Sequence, residues 1–159
     1  MKLKKQKGKS KTLTPLKKKA IHAPWVLNEP IRYAQSASFS RGIRVDLGEY
    51  VFLFVSGTAS VNGKGKTVHS GDFLAQTKRM FKNLTVLLQS EGASWHSVVK
   101  TTCYLKDMHN YEIFNKVRNQ FYKQQGLCPF PASSCIQANL CRPDLLVEIE
   151  LIAILEIKK

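Results

Sequence analysis

Residues 50–61 read YVFLFVSGTASV and run into Asn62-Gly63. The stretch is dense in β-branched and aromatic side chains, and Asn-Gly suits the positive φ of a tight turn, so a buried strand followed by a turn is predicted. Further along, Gly71-Asp72 opens a segment in which Phe73, Met80, Phe81, Leu84, Leu87 and Leu88 recur at helical spacing before Gly92. That predicts a helix over about 71–90. Residues 98–105 read as the next strand and about 107–125 as a second helix, with Tyr111, Phe114, Phe121 and Tyr122 on its inner side and Gly126 stopping it. Two strands follow, over about 133–139 and about 146–156. The order of strand pair, helix, strand, helix, strand, strand predicts an α+β fold: a mixed sheet with two helices on one face.

The second sheet face is left uncovered, yet the strands carry apolar residues on both sides, as in Val51, Phe52, Leu53, Phe54 and Val55 or Val147, Ile149, Leu151 and Ile152. Such a face is expected to be buried between copies or to close a barrel-like interior, which predicts a homo-oligomer.

The 159 residues are 43% hydrophobic, which suits one globular domain. No run of 18 or more apolar residues occurs, and the N-terminal lysine run has no apolar segment behind it, so no membrane span or secretory signal is expected. A cytoplasmic location follows from that reading. Cys103, Cys128, Cys135 and Cys141 form no CxxC pair and share no ligand spacing with the histidines; neither a metal nor a cofactor is expected. Gly57 and Gly71 match no phosphate-loop spacing, which excludes nucleotide binding by a P-loop.

The net charge of +14 is concentrated at one end: residues 1–20 hold nine lysines and no acid, leaving +5 on residues 21–159. Residues 1–20 therefore read as a disordered lysine-rich tail and 21–159 as a single domain. A solubilising or weakly anion-attracting arm, able to make weak electrostatic contact with nucleic acid, is the simpler reading of the tail, and a dedicated nucleic-acid or lipid contact is the alternative.

Among candidate chemical groups, Glu148 and Glu150 alternate onto one face of the last strand. Either acid suits water activation in a half-buried cleft, and a solvated strand face explains both as well. Cys135 and Cys141 have no histidine nearby in sequence, and a buried apolar thiol is the simpler reading of Cys103 and Cys135. An anionic ligand needs fixed cations, and the core candidates outside the tail are Arg41, Arg44, Lys100 and Arg142. Arg41 stands out because it lies in a serine-rich loop beside Gly42, where backbone can approach a ligand. A surface arginine in a connector remains the alternative.

The segments VSGTASVNGKG, SGDFLAQTKRMFKNLTVLLQSEGASWHSVVKTTCYLKD, PFPASSC and LLVEIELIAI together resemble the YjgF/YER057c/UK114 group, the Rid family with its L-PSP endoribonuclease-like members, over about residues 30–156. The resemblance implies a chorismate-mutase-like α+β fold, a homotrimer around a barrel-like core, and small-molecule, carboxylate-bearing ligands held in clefts between neighbouring subunits. It implies further that Glu148 corresponds to a water-positioning glutamate, that the backbone of Cys135 lines the cleft, and that Tyr33, Gly57 and Thr58 contribute to it. In the deaminase branch, enamines and imines such as 2-aminoacrylate are hydrolysed, and an arginine in a P-A-R-S-C type motif grips the substrate carboxylate. Here that stretch is Pro131-Ala132-Ser133-Ser134-Cys135, with Ser133 in the arginine position. A hydroxyl cannot replace a planar bidentate cation, so an altered substrate is expected. A second likeness, in ASFSRG, VSGTASV and HSGD, is to the Rid-like half of chorismatases, which would make Arg41 the compensating cation. Three function classes stand: a hydrolytic Rid-type or chorismatase-like enzyme, a non-catalytic small-ligand binder, and an RNA-acting protein.

Overall fold

The structure is a computed structural model, and it describes residues 14–33 and 35–157. Along the chain it forms β1 (Lys18–Ala20), β2 (Gly42–Leu47), β3 (Tyr50–Ala59), α1 (Phe73–Gln89), β4 (Val98–Leu105), α2 (Tyr111–Gln124), β5 (Ala132–Gln137) and β6 (Val147–Glu156). The strands make one six-stranded sheet in the order β1-β2-β3-β6-β4-β5. All neighbours are antiparallel except β4 and β5. This is the mixed α+β architecture that the sequence predicts.

Period-two alternation sorts the strands into two faces. In β6, Val147, Ile149, Leu151 and Ala153 are buried. Their register partners Val55, Leu53, Cys103 and Leu105 lie on the same side. Both helices cover this face. From α1 come Met80, Phe81, Leu84, Leu87 and Leu88, and from α2 Phe114 and Tyr122. Phe81 stacks on Phe121 with ring centroids 4.5 Å apart and meets Trp95 at 5.6 Å. Burial of each such ring stabilises the fold by roughly 1.5–3 kcal/mol.

Three polar side chains fix α1. The Asp72 carboxylate accepts from Ala75 N at 2.9 Å, satisfying a free amide of the first turn. Buried Asn83 donates to the carbonyls of Ala59 and Val61, at the end of β3. Buried Gln76 donates to Asp144 O at 2.8 Å and His69 O at 3.2 Å and accepts from Leu146 N at 2.9 Å. α1 is thus tied to the ends of the two strands that carry Gly57 and Glu148.

The opposite face holds Ile43, Phe52, Phe54, Ile152 and Ile154, with Phe54 45% exposed. Among the described residues no helix covers it.

The structure departs from the sequence expectations in four places. The hairpin partner of β3 precedes it: β2 turns into β3 through Gly48 (φ 62) and Glu49, with Leu47 opposite Tyr50. GIRVDL carries no clear strand signal of its own, because its few apolar residues alternate with Arg44 and Asp46. The turn after β3 is a longer loop whose positive φ falls on Gly65, not Gly63, while Asn62 Oδ1 accepts from the amides of Lys64 and Lys66. The lysine-rich tail ends earlier than residue 20, because Lys18–Ala20 pair with Ile43, Arg44 and Val45; residues 1–13 of the expected tail lie outside the described residues. Tyr111 is exposed rather than on the inner side of α2.

Candidate functional site

β3 and β6 pair residue for residue up to Val55 and Leu151 and resume at Thr58 and Ile149, so Ser56 and Gly57 together face Glu150. This two-against-one step is a β-bulge, which re-aims the backbone locally. Its consequence falls on Glu148: a Cβ built on Gly57 would lie 1.8 Å from Glu148 Oε1 and 2.8 Å from its Cδ. Only a glycine leaves room for the carboxyl group where it stands. Burial pushes the Glu148 carboxyl above its ordinary value, the neighbouring charge of Glu150 adds to this, and the positive charge of Arg41 opposes it.

Arg41 is 3% exposed. Its guanidinium donates to Asn28 O at 2.7 and 3.1 Å and to the Tyr33 hydroxyl, and it lies 5.4 Å from the Tyr33 ring centroid. Arg142 stands 5.2 Å from the same ring and donates to Gly65 O at 2.6 Å. Tyr33 is thus clamped between two arginines, one of which projects its field onto Glu148. Of the candidates read from the sequence, Tyr33, Arg41, Gly57 and Glu148 come together. Thr58 is buried and donates to Ser56 O at 2.9 Å, which fastens the bulge.

Ser133 and Cys135 lie elsewhere. Ser133 pairs with Thr101 and Cys135 with Cys103, and Cys103 pairs in turn with Ile149. These residues therefore belong to the helix-covered face, and Glu148 to the open one. Ser133 Oγ accepts from Thr101 Oγ1 at 3.1 Å and from an Arg118 guanidinium nitrogen at 3.2 Å, and has Cys103 Sγ 3.8 Å away. Burial raises the thiol pKa of both Cys103 and Cys135, which keeps them protonated and poorly nucleophilic. Among the described residues no cluster of His, Cys, Asp and Glu could hold a metal ion.

Two residues were missed in the sequence. Tyr104 is opposite Glu148 in register and donates to Glu150 Oε1 at 3.1 Å, so the two acids differ in partner. Arg118 had a usable signal: it follows Phe114 by four positions and precedes Phe121 and Tyr122 by three and four, the spacing of the inner helical face. Arg44, by contrast, is committed to Asp46 and Glu91, and Lys100 donates to Ser134. A cavity of about 740 Å³ between His22 and Ser40 contains none of the candidate residues.

A family profile described as Endoribonuclease L-PSP matches residues 30–155. The chain belongs to the L-PSP (YjgF/Rid) family. A RutC family protein of Synechocystis sp. is 34% identical to this L-PSP family chain over 105 residues, spanning 65% of this chain and 78% of that protein. The crystal structure of E. coli TdcF with bound serine superposes with a TM-score of 0.70 at 25% identity, covering 87% of this chain and 99% of that one. The conserved Rid family protein YyfA of Yersinia pestis gives a TM-score of 0.69 at 27% identity, over 86% and 98% of the two chains. The α+β sheet with its two helices is thus the fold of the L-PSP family. No helix among the described residues is long and apolar enough to cross a membrane.

Proposed function

We propose that this L-PSP family protein is a cytoplasmic homotrimer that hydrolyses a small imine or enamine bearing a carboxylate, in clefts formed between neighbouring copies. The observation that carries the reading is Glu148, a carboxyl with a raised pKa held at a glycine bulge. A carboxylate whose pKa lies closer to neutral is a stronger general base while still ionised at the working pH. In the reaction, the enamine tautomerises to the imine and Glu148 takes a proton from water as its oxygen bonds to the imine carbon. The imine nitrogen takes up a proton from solvent as its π bond opens, Glu148 then returns its proton to the amino group of the carbinolamine, and the C–N bond breaks as the hydroxyl loses its proton to solvent, releasing ammonia and a 2-oxo acid.

The division of the site supports an assembly of copies. Glu148 faces the open side of the sheet and Ser133 the helix-covered side, so one metabolite cannot touch both within one chain. A second copy that covers Phe54, Ile152 and their neighbours brings one chain's Glu148 towards another's β5 edge. Ser133 in place of the arginine implied by the family resemblance points to a substrate held differently from that of the deaminase branch.

The test is product analysis after incubating the protein with freshly generated 2-aminoacrylate, beside Glu148→Gln, and with chorismate in parallel. Pyruvate and ammonia released above background by the wild type and lost in Glu148→Gln are expected. Equal rates in both proteins refute the reading, and consumption of chorismate alone replaces it with a chorismatase-like one.

A further inference from the structure

Resting on the reading of a carboxylate-bearing ligand, we infer that Arg118 of α2 is the cation that grips the carboxylate at Ser133. The cation at this place comes from the helix rather than from the strand. The guanidinium donates to Ser133 Oγ at 3.2 Å and to Asn115 Oδ1 at 2.7 Å, and its carbon stands 5.2 Å from the Phe114 ring centroid. The ring and Asn115 fix the fork, and both polar partners are neutral. Among the described residues no ion pair involves Arg118. A positioned, half-exposed guanidinium without a counter-charge is one a ligand anion can complete.

The hydroxyl beside it is prepared for the same task. Ser133 Oγ already accepts two hydrogen bonds, from Thr101 and Arg118. Among the described residues its own proton meets no acceptor stronger than Cys103 Sγ, at 3.8 Å, which could equally be the donor of that contact. It is free to turn outward and donate. A carboxylate at this edge strand would receive one bond from the guanidinium and one from a hydroxyl polarised by it. Ser133 is then the second half of a two-residue anchor. A neutral ligand gains little from this pair, so the site selects for a carboxylate.

The experiment uses the full-length protein and two probes, pyruvate and its neutral methyl ester, with binding measured by calorimetry. Loss of a charge-assisted hydrogen bond reduces affinity by about tenfold or more. Arg118→Ala is therefore expected to weaken pyruvate by at least about tenfold and to leave the weak binding of the ester unchanged. The double variant Arg118→Ser/Ser133→Arg, which returns the cation from the strand side, should recover pyruvate affinity. Arg118→Gln, which keeps the stem over Phe114, makes the same comparison if Arg118→Ala loses its fold. Wild-type pyruvate affinity in Arg118→Ala overturns the inference, and Glu148-dependent turnover persisting in that variant leaves the proposed reaction standing. Arg118-dependent pyruvate binding with no Glu148-dependent turnover supports the anchor and overturns the reaction. A wild-type protein that binds neither probe overturns both.

Discussion

Gly57→Ala isolates the contact on which the site is built. The added Cβ would fall 1.8 Å from Glu148 Oε1. Non-bonded heavy atoms settle roughly 3.5 Å apart or more, so the carboxyl must retreat by about 1.7 Å or more, or the bulge must open. The atoms met are the far end of a flexible side chain that can swing aside, so the cost falls at the low end of the about 1–3 kcal/mol for forcing in a methyl, which for a chain of this size lowers Tm by about 2–4 °C. The cost is a property of the pair. In a Glu148→Ala background, the oxygen and carbon that the methyl meets are gone, and the same substitution should shift Tm by a small fraction of that amount. A double-mutant cycle read by thermal unfolding measures the difference, with an expected coupling of about 1 kcal/mol or more. Activity provides a second reading: a displacement of about 1 Å in a reacting group costs about a hundredfold in rate, so Gly57→Ala should depress kcat for 2-aminoacrylate far more than it raises KM. Equal Tm shifts in the two backgrounds would refute the contact, and an unaltered kcat would show that the carboxyl position does not govern the chemistry.

Other expectations follow from the same geometry. Gln76→Ala removes the partners of Leu146 N, Asp144 O and His69 O at the entry to β6, and the loss of three part-buried hydrogen bonds should cost roughly 1–3 kcal/mol in urea unfolding. A loss within experimental error would mean that water replaces the amide. The raised pKa of Glu148 makes its ionised form a burden to the folded state. Its favourable contribution is complete below the ordinary carboxyl value of 4.5 and is lost as pH rises through the higher folded value. Glu148→Gln should therefore be more stable than wild type at pH 7, with the gap closing as pH falls towards 4.5; denaturant titrations across that range that show a constant gap would contradict the assigned burial. The turnover of the wild type should rise with pH over the same window.

The sequence by itself determined the layer arrangement, because the signals involved are local and repeated. Period two in LVEIELIAIL and helical spacing from Phe73 to Leu88 fix which face of each element is apolar, and apolar faces have few ways to be covered. The two acids of β6, and the uncovered apolar face that points to assembly, were legible for the same reason. β2 was not, since a six-residue strand with Arg44 and Asp46 in it looks like a loop until β3 supplies its hydrogen bonds. The site was half legible. Glu148 stands out as an acid among aliphatics, but its relation to Gly57 depends on one register slip between strands roughly ninety residues apart in the chain, which no local pattern encodes. The tertiary structure alone decided that Arg41, bonded to Tyr33, projects its charge onto Glu148, that Ser133 and Cys135 face the other way, and that Arg118 crosses from α2 to Ser133. Periodicity fixes the face on which a side chain lies; only strand order, register and helix placement fix what meets it there.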